Sequence, residues 1–145
     1  MAENLLPGMI GLFRFDAMEK FDLRGILSGV VEAVRGIIPD VFTTDRPRVS
    51  ERMEEFAVVS LPTRLYNLTH GYCGMTGTTC SIELFVRDKG GRENVERIDE
   101  LVDAVCGLFP KRVGSVLYSG PSVLVRGSDG MGFHAVDIDV NVKTI

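Results

Sequence analysis

The chain has 145 residues, of which 45% are hydrophobic and 25% charged, and its formal net charge at pH 7 is −4. That length suits one domain with a core that needs neither disulfides nor metal, and the mild negative charge gives no reason to expect nucleic-acid binding. No apolar run is long enough to span a bilayer, no signal-peptide order opens the chain, and three cysteines at unpatterned spacing predict reduced thiols in a cytoplasm.

Residues 1–20 have no clear period, yet Leu12, Phe13, Phe15 and Met18 need cover. They predict an N-terminal arm that folds onto its own domain or onto a neighbouring subunit. Residues 21–145 read as one domain. In residues 21–38, Leu23, Ile26, Leu27, Val30, Val34 and Ile37 recur at the spacing of a buried helical stripe. Asp22 is a candidate cap and Pro39 a stop. Gly25, Gly29 and Gly36 are unusual there, since each costs about 1 kcal/mol against Ala in a helix interior. They predict close packing against another backbone, or a frayed helix. Residues 40–44 suit a short edge strand. Residues 56–61 are apolar almost throughout, as in a central strand covered on both faces. Residues 63–79 carry Tyr66, His70, Tyr72, Cys73 and three glycines, and read as a long hairpin or a mobile loop.

Residues 80–87 alternate: Ile82, Leu84 and Val86 on one face, Ser81, Glu83, Phe85 and Arg87 on the other. A period of two marks a half-buried strand. Gly90-Gly91 then permits a sharp turn. Val95, Ile98, Leu101, Val102, Val105, Leu108 and Phe109 outline a second helix, with Asn94 as N-cap and Pro110 at its end. Residues 115–126 are extended around a bend at Gly120-Pro121, residues 127–132 form a hairpin turn, and residues 133–142 alternate as a strand. Val136, Ile138, Val140 and Val142 point one way, and Asp137, Asp139 and Asn141 the other. The predicted fold is α+β, a mostly antiparallel sheet with two helices packed on one face.

Candidate chemistry is sparse. His70, Cys73 and Cys80, with Cys106 and His134 elsewhere, lack the paired spacing of a zinc site. Glu83, Asp137 and Asp139, with Lys143 nearby in sequence, are the residue types of a small metal-dependent hydrolase, but strand alternation alone already explains their positions. The glycines at 71, 74 and 77 are not followed by the Lys and Ser/Thr of a phosphate-binding loop. No serine sits in a nucleophile elbow, and no cofactor is implied. The expectation is a protein without catalysis. Phe85 among charged neighbours reads as part of an interface, or as a ring covered by its own loop.

The element order resembles that of phage tail completion or tail terminator proteins. The likeness runs through the first helix, the extended segment at residues 41–48, Phe56-Ala-Val-Val-Ser-Leu-Pro, Cys80-Ser-Ile-Glu-Leu-Phe-Val-Arg-Asp with Gly90-Gly91, the helix holding Ile98-Asp-Glu-Leu-Val, and Phe133-His-Ala-Val-Asp-Ile-Asp-Val. It covers roughly residue 21 to the C-terminus, by the order of elements. The resemblance implies a structural virion protein that assembles in host cytoplasm. Such a subunit forms a ring, often a hexamer, which caps the tail tube and joins it to the head connector. Its implied partners are further copies of itself, the tail tube protein and the connector. The family has no catalytic residues. Its working surfaces would be the sheet face with Glu83, Phe85, Arg87, Asp137 and Asp139, towards the neighbouring subunit or the lumen, and the hairpin of residues 63–79 and the loop of residues 46–51 with Arg46 and Arg48, towards the next ring. The alternatives are a head–tail connector or another tube-like virion or secretion subunit, and then the hydrolase.

Overall fold

The computed structural model describes residues 23–43, 53–61, 66–67 and 76–144. The expected arm at residues 1–20, the cap Asp22, the loop with Arg46 and Arg48, and His70 and Cys73 lie outside the described residues. Among the described residues, two helices and seven strands follow in the order α1 (Leu23–Arg35), β1 (Val41–Thr43), β2 (Glu55–Ser60), β3 (Tyr66–Asn67), β4 (Thr76–Arg87), α2 (Val95–Cys106), β5 (Lys111–Val113), β6 (Val116–Ser128) and β7 (Phe133–Thr144). The strands form one sheet in the order β1-β2-β4-β7-β6-β5, with β3 paired to the start of β4. Only β1 and β2 run parallel; the other pairs are antiparallel. The fold is α+β, as the residue pattern predicts.

Helix α1 buries Ile26, Val30, Val31 and Val34, and α2 buries Leu101 and Val105. Both stripes meet the sheet side that carries Ala57, Val59, Cys80, Ile82, Leu84, Ile138 and Val140. Full burial of each such aliphatic side chain contributes about 1.5–3 kcal/mol. Asn94 caps α2 as expected, its Oδ1 accepting from Arg97 N at 3.3 Å. The turn after β4 uses Gly90 at φ 62° and Gly91 at φ 78°, a region costly for residues with a Cβ.

β2 is covered on both sides, as its apolar run requires. Ala57 and Val59 face the helices, while Phe56 and Val58 join Phe85, Phe133 and Ala135 in a second, smaller core on the opposite face. The strands around the hairpin are longer than their alternation indicates. Gly120-Pro121 does not end the extended segment: it sits in a bulge between Ser119 and Ser122, and β6 continues to Ser128. β5 was not evident in the sequence, because its Lys-Arg-Val is exposed throughout and has no alternation of burial to display. Within residues 63–79, Tyr66 pairs with Gly77 and Asn67 with Thr76 in antiparallel register; residues 63–65 and 68–75 of that expected hairpin or loop lie outside the described residues.

Candidate functional site

β4 and β7 pair in unbroken register from Gly77 opposite Lys143 to Arg87 opposite Phe133. Side chains alternate along a strand, so the odd-numbered residues of both strands share the face away from the helices. Glu83 stands opposite Asp137, Ser81 opposite Asp139, and Phe85 opposite Ala135. The structure therefore brings together five residues that the sequence marks as a surface: Glu83, Phe85, Arg87, Asp137 and Asp139. It then divides them between two environments.

Towards the turn, the face is an aromatic core. Phe85 is 4% exposed and stacks on Phe56, with ring centroids 4.6 Å apart and planes 10° apart. Phe133 meets Phe56 edge-on at 5.4 Å. The Arg87 guanidinium lies 4.6 Å from the Phe133 ring centroid, and its Nε donates to Met53 O at 3.0 Å. The reading of Phe85 as an intersubunit contact is thus corrected: its neighbours on strand β2 take its surface, and no face remains for a partner. Arg87 likewise spends its contacts inside the chain.

Farther along, the face is acidic. Asp137 is buried, and its Oδ2 accepts from Arg126 Nη1 at 2.7 Å. Its Oδ1 is buried with no hydrogen-bond partner. Arg126 is the extra residue of a bulge between Val125 and Gly127, and Gly127 takes φ 88° there. A bulge re-aims side chains, and here it delivers a guanidinium to a carboxylate that already faces Glu83 across the strands. Adjacent like charges repel, and Arg126 offsets that. A hollow of about 340 Å³ opens beside Glu83, Phe85, Arg126 and Asp129. Asp139 is exposed.

These acids do not converge with the other candidate residues. Lys143 is four residues beyond Asp139 on β7, about 13 Å along the strand. Cys80 points to the helix side, and burial, helped by Asp139, pushes its thiol up to about 12. Burial and then Asp103 raise Cys106 as well. His134 Nδ1 lies 2.5 Å from Asp88 Oδ1, a clasp between the end of β4 and the start of β7. Among the described residues, no group of three or more His, Cys, Asp or Glu is placed to hold a metal ion.

The outer edge of the sheet is the other notable surface. β5 pairs with β6 only at Val116, Leu117 and Tyr118. Among the described residues, β6 has no strand on its outer side beyond that point. Val123, Leu124 and Val125 are 45%, 57% and 71% exposed on this open edge, and Met131, in the turn between β6 and β7, is 71% exposed. Leu124 lies on the acidic face opposite Asp137, while Val123 and Val125 lie on the other side opposite Ile138 and Val136. Apolar side chains on both sides of a strand whose outer edge is open are what an added strand would cover. The sequence marks this triplet only as extended; its exposure follows from its place at the edge.

No protein-family model matches the chain, and no curated protein matches its sequence. A solved structure that carries only a sequence identifier as its name superposes with a TM-score of 0.51 at 12% identity, covering 79% of this chain and 86% of its own. At that identity the likeness is one of fold. No described helix is long and apolar enough to cross a membrane.

Proposed function

We propose that this protein is a structural subunit of a phage or prophage tail, without catalysis, which assembles as a ring on the end of the tail tube and joins it to the head connector. The observation that supports assembly is the open β6 edge with Val123, Leu124 and Val125 uncovered on both sides. A monomer that stays single leaves such an edge charged, short or covered. A closed ring needs one patch to meet a different patch on its neighbour, and an edge strand supplies one of those two patches. The tail assignment within that reading comes from the order of elements, helix, paired strands, helix and closing hairpin, which resembles the tail terminator family. Its partners would be further copies of itself, the tube protein and the connector.

Light scattering over a range of concentrations, with electron microscopy of the same samples, tests this. The expected result is a closed ring of about six copies, populated increasingly as concentration rises. A species that never exceeds a dimer, with no rings in micrographs, would overturn the reading.

A further inference from the structure

On the helix-free face, outside the aromatic core, the part of β7 from Asp139 to Lys143 carries charge of opposite sign at its two ends. Asn141 of β7 is exposed and lies beside Ser119 of β6 and Thr79 of β4. The Asn141 amide lies against Gly120: a Cβ there would come 3.1 Å from Asn141 Nδ2. Ser122 and Ser81 flank the next position, Asp139. These are small side chains, so another surface can approach closely. Two residues from Asn141 in one direction is Asp139, and two in the other is Lys143, all on the same face. Leu117 stands beside Lys143, with Arg112 beyond it on β5.

Within one chain, Asp139 and Lys143 are about 13 Å apart along the strand. That exceeds the Debye length of about 8 Å at physiological salt, so the two ends do little to neutralise each other. A two-fold axis through Asn141 changes this. It places Lys143 of each copy over Asp139 of the other, and the same complementary pair is used twice. Sheets stacked face to face lie about 10 Å apart, within reach of a lysine stem meeting an aspartate.

We propose that the free protein pairs with a second copy of itself through this face, antiparallel about Asn141, with Lys143 of each copy bonded to Asp139 of the other. The pairing leaves the β6 edge open. It is therefore separable from ring closure and does not rest on the tail reading. It gives the protein a dimeric form in solution.

Sedimentation equilibrium on the full chain tests the pairing with Lys143→Asp, Asp139→Lys and the two combined in one chain, each checked for folding by circular dichroism. Each single reversal sets like charges against each other twice, and should weaken the dimer by about tenfold or more. The combined exchange restores opposite charges across the axis, and should return the dimer to within about threefold of the original chain. Raised salt should weaken the original and the exchanged chain alike. Three results would overturn the proposal: an original chain monomeric at every concentration, a dimer indifferent to the single reversals, or a combined variant no tighter than either single one. Rings that still form while the charge exchange has no effect would remove this pairing and leave the assembly reading intact.

Discussion

A Cβ on Gly29 would lie 2.9 Å from Tyr118 Oη, where helix α1 crosses the sheet. Tyr118 is 3% exposed, and its hydroxyl donates to Ile26 O, one helical turn earlier, at 3.4 Å. The glycine that looks costly in the helix is therefore space for a phenol, not for another backbone.

Gly29→Ala should lower stability by about 1 kcal/mol, because the overlap with a confined ring outweighs the gain in helix propensity. In a Tyr118→Phe background the overlap is gone, since the next ring atom is 3.7 Å away. There the same substitution should stabilise by about 1 kcal/mol. A double-mutant cycle by urea denaturation reads the change of sign, and equal effects in both backgrounds would sink the explanation.

Phe85→Ala should cost about 3–5 kcal/mol, as for other aromatic truncations in a core. Its ring is stacked on Phe56, so the loss appears as a lower denaturation midpoint at every protein concentration. A loss seen only when copies associate would return Phe85 to an interface.

Asn94→Ala removes the oxygen that caps Arg97 N, and should destabilise by about 1 kcal/mol. Asn94→Asp and Asn94→Ser keep an acceptor there and should retain most of the stability. An alanine variant as stable as the original would show that the cap is already replaced by water.

Stability should fall on the alkaline side. The Cys80 thiol is raised by burial from 9.0 to about 12 in the folded chain. Between those values the unfolded chain loses the proton while the folded chain keeps it, so folding weakens by about 1.4 kcal/mol for each pH unit. Tyr118, also raised by burial, adds a loss of the same sign at higher pH. Cys80→Ala should flatten this slope between pH 9 and about 12. An unchanged slope in thermal melts would show that other groups carry it.

Val125→Lys should abolish ring formation with little change in monomer stability, since residue 125 is 71% exposed. A lysine on a sheet edge opposes the addition of a strand. Rings that persist, seen by light scattering, would move the ring contact away from β6.

Much of the architecture is legible in the chain because it follows from local periodicity. The stripes at Ile26, Val30 and Val34 and at Leu101 and Val105 bury as their spacing predicts. The alternation from Val136 to Val142 separates the two faces of β7, and Glu83, Asp137 and Asp139 do share one of them. The environments of those residues are less legible. Arg126 reaches Asp137 only because a bulge in β6 re-aims it, and an inserted residue is visible only against the partner strand that it fails to match.

The amino-acid order alone determined the type of the main elements, the two faces of the strands, the cap at Asn94 and the turn at Gly90-Gly91, because these depend on neighbours a few residues apart. Only the tertiary structure decided which strand lies at the edge, that Phe85 is covered by Phe56, that Gly29 makes room for Tyr118, and that small residues of β4 and β6 flank Asn141 between Asp139 and Lys143. Those are contacts between segments far apart in the chain. Strand order and register set them, and alternation within a single strand is the same whether the strand lies in the middle of a sheet or at its rim.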